Sequence, residues 1–196
     1  MKKLVLTSLL AAFAVSGANA ETNYFVGGSA GLSFGDEHAT LLSVAPEFGW
    51  KVNSKWDLGI MGEYAYDRKH VDVDAVEGTR IVDDAEMYGI GAFARYNVAQ
   101  FGGLNLLLKG AVEAEFMHFN GETASTIGAS VIPMVTYDLT ESFTLYANLN
   151  FLGVYAGYTW ANEKMGIEDG WGVGAFVDAN NVMNTSDFQI GFTYNF

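Results

Sequence analysis

Charged side chains in this chain recur at alternate positions of stretches that are otherwise apolar. From Leu104 to Phe116, for example, Leu, Val and Ala residues alternate with a series that contains Lys109, Glu113 and Glu115. Side chains alternate between the two faces of a β-strand, so such stretches place their charges on one face and their apolar groups on the other. Seven charges of this kind form the candidate functional network: Glu47, Lys51, Glu63, Arg95, Lys109, Glu113 and Glu115.

These charges support two interpretations. They could line a narrow path for ions or bind a solute, or they could form salt bridges that fill the interior of the fold. Charges in a narrow, partly dry interior must be paired, and the mixture of acids and bases favours the structural interpretation. Arg95 and Lys109 come from neighbouring predicted strands and form the predicted cationic centre, with Glu63 and Glu113 as their predicted partners.

Residues suited to catalysis are few. The only histidines are His38, His70 and His118. His118 lies near Glu122, Thr123 and Ser125 across a short predicted connection, which is a conceivable set for a lipid-modifying enzyme. No serine-containing catalytic motif accompanies it, so we predict no catalytic residue. We also predict no cofactor and no metal site, because the acid-rich segment Asp67–Glu86 lacks the EF-hand pattern and is better explained as a solvated surface loop.

The composition indicates export. Lys2 and Lys3, an apolar run from Leu4 to Val15 and the small residues 18–20 predict a signal peptide over residues 1–20, followed by one domain over residues 21–196. Removing the two lysines changes the formal charge of -13 to -15. So acidic a chain is a poor match for nucleic acid. The absence of cysteine excludes a disulfide framework.

Alternation with a period of two predicts eight strands. They are Tyr24–Phe34, Leu42–Val52, Trp56–Tyr66, Tyr88–Val98, Leu104–Phe116, Ile127–Leu139, Phe143–Phe151 and Phe188–Phe196. Trp171–Val177 also alternates, and we interpret it either as an upward extension of the last strand or as a loop element over the mouth. Short turns at residues 52–55, 99–103 and 140–142 alternate with longer connections at 35–40, 68–84, 120–125 and 161–184, an arrangement typical of transmembrane β-barrels.

Aromatic residues cluster at both ends of the predicted strands, with small aliphatic residues between them. A soluble barrel would turn its apolar face inward, whereas two aromatic belts around an aliphatic band are expected of a surface that faces lipid. The predicted belts consist of Trp50, Trp56, Tyr64, Tyr66, Tyr88, Tyr137, Phe143, Tyr155 and Trp160. Because backbone groups in lipid must all be paired, the predicted fold is all-β: a closed, antiparallel, up-and-down transmembrane β-barrel of eight strands.

The chain ends FQIGFTYNF, with apolar residues at alternate positions and a terminal phenylalanine. This ending and the whole of residues 21–196 resemble the small outer-membrane β-barrel family of Gram-negative bacteria, the OmpX/OmpA-like barrels. The resemblance implies a cell outer membrane location and recognition by the barrel-assembly machinery. The residues that match the assembly signal are Phe188, Ile190, Phe192, Tyr194 and Phe196.

The predicted function is that of a non-enzymatic integral outer-membrane protein with a structural or surface-interaction role, such as envelope integrity or adhesion through its loops. A narrow, porin-like channel for ions or small solutes is the alternative, and a barrel enzyme that modifies lipid A is a third. The predicted partners are outer-membrane lipid and lipopolysaccharide, with the barrel-assembly machinery during biogenesis and an extracellular ligand that the sequence does not identify.

Overall fold

The computed structural model describes residues 23–34, 40–68, 85–119, 121–150, 152–160, 169–177 and 188–196. The predicted signal peptide, His38, His70 and most of the acid-rich loop lie outside the described residues. Within the described part, ten β-strands are present: β1 (Tyr24–Phe34), β2 (Thr40–Lys51), β3 (Trp56–Arg68), β4 (Ala85–Phe101), β5 (Leu104–Phe119), β6 (Glu122–Asp138), β7 (Phe143–Leu149), β8 (Leu152–Trp160), β9 (Gly170–Val177) and β10 (Phe188–Asn195).

The strands form one closed antiparallel sheet. From β1 to β6, each strand pairs with the next one along the chain. β6 then pairs with both β7 and β8, β7 pairs with β10, and β10 pairs with β1 to close the ring. The predicted class, a closed eight-stranded barrel, is confirmed.

The part of the barrel wall that a seventh and an eighth strand would form consists of two shorter strands at each position, β7 with β8 and β9 with β10. The described structure therefore has ten strands where eight were predicted. β7 and β8 both lie along β6, and β9 pairs with β8 while β10 pairs with β7. Three steps along β6, from Met134 to Val131, correspond to six steps on the partner, from Asn148 to Val154. Between Asn148 and Val154 the chain therefore has three residues more than the facing stretch of β6. This excess is an insertion at the junction of β7 and β8, and an odd insertion exchanges the inward and outward faces.

Among the described residues, no helix is long and apolar enough to cross a membrane.

The exposed surface of the barrel wall is apolar, whereas its interior contains both apolar and polar side chains. Ile90, Val112 and Val154 are 67%, 56% and 50% exposed, whereas several polar side chains are buried on the opposite face. This distribution is the reverse of that in a soluble barrel and matches a wall whose outer face contacts lipid. The predicted orientation, with apolar groups outward and ionic groups inward, agrees with the described residues.

The short turns at one end are held by local hydrogen bonds. The Asn53 side chain accepts hydrogen bonds from the backbone N–H groups of Lys55 and Trp56, and Thr140 accepts from those of Ser142 and Phe143. These are the turns that the sequence predicts, and this end is called the turn end below. The opposite end is called the loop end.

One connection at the loop end is shorter than predicted. Residues 122–125 belong to β6, because the β5–β6 ladder continues to the pair formed by Phe119 and Glu122. Only Asn120 and Gly121 connect the two strands, and Gly121 has a φ of 75°. The Asn-Gly dipeptide is a strong signal for a two-residue hairpin, so the sequence did contain this information.

Candidate functional site

The candidate site is the interior of the barrel, where the strand pairing brings the predicted charges to one face. Asp57 of β3 pairs with Lys51 of β2 and with Arg95 of β4, and Arg95 pairs with Lys109 of β5. Further toward the loop end, the same inward face carries the carboxylates of the network: Glu47, Glu63, Glu113 and Glu115. All seven predicted residues thus face the interior.

A buried ion pair lies inside the barrel. Arg95 Nη2 lies 2.5 Å from Glu47 Oε2, and the two residues are 3% and 4% exposed. The Arg95 guanidinium also lies over three aromatic rings, with its Cζ 4.6 Å from the centroid of Phe93 and 5.3 Å from those of Phe25 and Tyr146. Cation–π contacts and a close carboxylate together compensate for the removal of this charge from water. These five residues are called the plug.

Glycines in the wall make room for the plug. A Cβ atom on Gly49 would collide with the ring of Phe25, and one on Gly59 would collide with the ring of Phe93. Each ring therefore occupies the space beside its glycine that a larger residue would need. The charge network predicted from the sequence contains Glu47 and Arg95 but not the two phenylalanines or Tyr146, whose inward positions follow from the same alternation.

For Arg95, the predicted ion-pair partners were wrong. Arg95 is bound by Glu47, not by Glu63 or Glu113. Alternation assigns a side chain to a face, but the tilt of barrel strands decides which inward residues meet across the interior. Lys109, 8% exposed, lies beside the plug with its Nζ 5.3 Å from the ring centroid of Phe93.

Three acids gather on the loop-end side of the plug. Carboxylate oxygens of Glu63, Glu113 and Glu115 all lie within 4.8 Å of one another, and the residues are half-buried. Gly89 and Gly91 of β4 stand between them, and Cβ atoms there would approach Glu63 Cβ at 3.2 Å and Glu113 Cγ at 2.7 Å. Such a geometry could hold a cation, but clustered acids are common without one.

Two chambers flank the plug. The upper chamber, of about 180 Å³, lies toward the loop end and is lined by Glu113, Glu115, Thr126, Tyr155 and Thr159, among others. The lower chamber, of about 240 Å³, lies at the turn end. More than half of its lining residues carry a neutral amide or hydroxyl group, including Asn97, Gln100, Asn105, Thr136, Thr193 and Asn195.

The aromatic belts are largely where the sequence places them. Trp50, Trp56, Tyr137 and Phe143 are exposed on the outer face near the turn end; Tyr88 and Trp160 are exposed, and Tyr64 and Tyr66 half-buried, near the loop end.

Tyr155 is the exception among the predicted belt residues. It pairs with Ser130 and Gly174, and a Cβ atom on Gly174 would lie 2.6 Å from its ring, so Tyr155 faces the upper chamber. The insertion between β7 and β8 causes the exchange of faces. Tyr158 takes the outer position, 4.9 Å from Trp160 between ring centroids.

The terminal strand closes the barrel. Ile190, Phe192 and Tyr194 point to the outer face, where Tyr194 packs against Phe143 with ring centroids 5.0 Å apart. The backbone N–H of Phe196 donates a 3.0 Å hydrogen bond to the carbonyl of Tyr24. The Phe188 side chain lies outside the described residues, although its backbone pairs with Leu149.

The conceivable catalytic set around His118 does not assemble in the described structure. His118 Nδ1 lies 3.1 Å from Thr123 Oγ1, on the outer face of the wall. Ser125 pairs with Phe116 instead, and Glu122 pairs with Phe119 and so belongs to the opposite face of the sheet. A nucleophile, a base and an orienting acid are therefore not aligned here.

Comparisons with known proteins bear on the fold. No family model and no curated protein sequence matches the chain. A major outer membrane protein from Thermus thermophilus is similar in structure, with a TM-score of 0.51 and 10% identity over 90% of this chain and 100% of that one. Neisserial surface protein A gives a TM-score of 0.48 at 16% identity over 91% and 100%, and Ail from Yersinia pestis gives 0.42 at 13% over 90% and 100%.

At these sequence identities, structural similarity is evidence for the fold alone. That evidence comes from the Thermus thermophilus structure, with its TM-score of 0.51. The chain has the fold of a small outer-membrane β-barrel, and this fold supports the predicted outer-membrane location.

Proposed function

We propose that this protein is an integral outer-membrane β-barrel with a structural or surface-interaction role and no enzymatic activity. Its export would depend on residues 1–20 as a signal peptide. Its insertion would depend on recognition of the terminal strand by the barrel-assembly machinery. An apolar outer face between aromatic belts on the described strands supports contact with outer-membrane lipid and lipopolysaccharide.

The plug is the observation that carries a non-channel role. Arg95, Glu47, Phe25 and Tyr146 are each less than 5% exposed, and they meet at the centre of an eight-stranded barrel. An interior of this size is just filled by side chains. A permeating ion would have to displace a buried ion pair held on three sides by aromatic rings, which is costly because it exposes unpaired charges to a dry environment.

A narrow channel is the alternative, and the two chambers on either side of the plug are the observation that favours it. They show that the barrel is not filled along its whole length.

Conductance in planar lipid bilayers separates the two functions. We expect no steady single-channel steps from the refolded protein above those of a protein-free bilayer. The double variant Glu47→Ala with Arg95→Ala removes the charged part of the plug and should increase conductance, whereas Thr126→Val, a conservative change in the upper chamber, should not. Steady steps from the unmodified protein would contradict the proposal. Heat-dependent migration on a detergent gel confirms in each case that the barrel has formed.

A further inference from the structure

The outer face of β6, β8 and β9 contains an apolar groove of about 460 Å³. Two cross-strand rows of outward side chains form it, one of Ala129, Ala156 and Val173 and the other of Val131, Val154 and Ala175. All six residues are exposed. The groove therefore lies on the lipid-facing side of the wall, and the sheet itself separates it from the upper chamber.

The groove exists because its alanines are smaller than the residues around them. On the loop-end side, the next outward row consists of Ile127, Tyr158 and Trp171, and on the turn-end side Leu152 follows on β8. Trp171 and Val173, each 78% exposed, protrude from β9. The three alanines thus form a floor that larger side chains border on three sides.

The groove lies closer to the loop-end belt than to the turn-end belt. Along β6, Ala129 is four residues from Ser125, which pairs with Trp160, and eight residues from Tyr137. Tyr158 packs against Trp160 with ring centroids 4.9 Å apart, so aromatic rings cover the loop-end side of the groove. Such rings lie at the level of the lipid headgroups. The groove therefore begins directly below the headgroups, at the depth of the acyl chains.

An acyl chain fits this groove better than a second barrel does. In lipid, molecules associate through close packing and not through the hydrophobic effect, and empty space beside a side chain forfeits that packing. A flexible, unbranched chain is able to lie along the alanine floor. A rigid barrel wall would meet the protruding side chains of Trp171 and Val173 first, and these would hold it away from the floor.

We propose that the groove binds one acyl chain of a lipopolysaccharide molecule, whose sugar headgroup lies beside the rings of Tyr158, Trp160 and Trp171. The loop end of an outer-membrane barrel faces the cell exterior, and lipopolysaccharide is the lipid of that leaflet. The inference rests on the proposed outer-membrane location. It goes beyond it because general contact with lipid requires no site that a single molecule occupies.

The test follows the alanine methyl signals by NMR while lipopolysaccharide with a short sugar chain is added to residues 21–196, refolded in phosphatidylcholine nanodiscs. We expect saturable shifts at Ala129, Ala156 and Ala175. Ala92, exposed on the outer face of β4, should shift only in proportion to the lipopolysaccharide content. Phosphatidylglycerol should give no saturable shift at any of the four.

Three results would overturn the proposal. Shifts at the groove that do not saturate would mean that lipid contacts the groove as it contacts the rest of the wall. Equal saturation with phosphatidylglycerol would remove the assignment to lipopolysaccharide. Shifts that depend on the number of barrels in each nanodisc, and not on lipopolysaccharide, would identify a second copy as the occupant.

Variants locate the site. Ala156→Leu fills the floor of the groove and should weaken binding by about tenfold, because a larger side chain overpacks the contact. Ala92→Leu makes the same change on the outer face outside the groove and should leave the affinity unchanged. Equal affinity of both variants would refute the assignment. If Ala156→Leu does not fold, Ala129→Leu narrows the same groove from β6.

Heat-dependent migration on a detergent gel shows in each case whether the barrel has formed. A barrel that inserts into lipid but shows no saturable shift would refute the acyl-chain site and leave the proposed function standing. A chain that does not insert into lipid at all would refute both.

Discussion

The two halves of the barrel interior differ in how their charges are compensated. On the turn-end side, the Arg95–Glu47 pair is nearly inaccessible and surrounded by rings, and β10 is paired on both edges, with β7 and with β1. On the loop-end side, Glu63, Glu113 and Glu115 are half-buried and make no ion pair within 4.0 Å among the described residues. There β9 pairs with β8 alone among the described strands.

This contrast separates the part of the barrel that fixes its structure from the part that is free to vary. A paired, buried charge stabilises only one arrangement of its surroundings, since any other arrangement exposes an uncompensated charge. Neighbouring acids that make no ion pair repel one another, and half-burial leaves these three in partial contact with solvent. Removing the charge of an inward-facing glutamate should therefore lower the stability of the fold in the turn-end half and raise it in the loop-end half.

The largest effect is expected at Glu47. Glu47→Gln leaves Arg95 buried without its counter-charge, and we expect the free energy of unfolding to fall by about 3–5 kcal/mol. Urea titration of the barrel refolded in lipid vesicles measures this change. The double variant Glu47→Leu with Arg95→Met replaces both charges by apolar groups and should recover most of the loss. If the double variant is no more stable than Glu47→Gln, the plug does not stabilise the fold through charge pairing.

A smaller effect of the opposite sign is expected at Glu113. Glu113→Gln removes one of three neighbouring negative charges, and relief of this repulsion should raise the free energy of unfolding by about 1 kcal/mol. The same urea titration detects it, and the gain should shrink at high salt because the upper chamber is accessible to ions. A loss comparable with that of Glu47→Gln would show that Glu113 is paired after all and would remove the contrast between the halves.

The sequence was sufficient for the class of fold and for the face on which each charge lies. Both follow from a period of two, which is a local property of the chain. It was not sufficient for the Arg95–Glu47 pair, because β2 and β4 are not adjacent and their contact depends on strand tilt and on the space left by Gly49 and Gly59.

Local irregularities in the strands also limited the prediction of the fold from the sequence. At Asn120-Gly121 the hairpin signal was present, and the short connection could have been predicted. The insertion between β7 and β8 has a weaker signal: Asn150 and Gly153 interrupt an otherwise apolar run. An odd insertion reverses every later position on the strand, which is why Tyr155 was assigned to the wrong face while the face of β7 was assigned correctly.

The smallest expected effect tests this reversal directly. The chain contains no cysteine, so Tyr155→Cys and Tyr158→Cys each introduce a unique position for a nitroxide spin label. Tyr155 faces the upper chamber beside Glu113 and Glu115, whereas Tyr158 lies on the outer face 5.3 Å from Trp171 between ring centroids. In lipid vesicles, we expect a water-soluble nickel reagent to relax the label at position 155 more strongly, and oxygen, which is concentrated in lipid, to relax the label at position 158 more strongly.

Neither substitution removes a charge or a fully buried side chain, so stability should change little. The reverse pattern would mean that β8 continues the alternation of β7 without an insertion, and the upper chamber would then lose its aromatic wall.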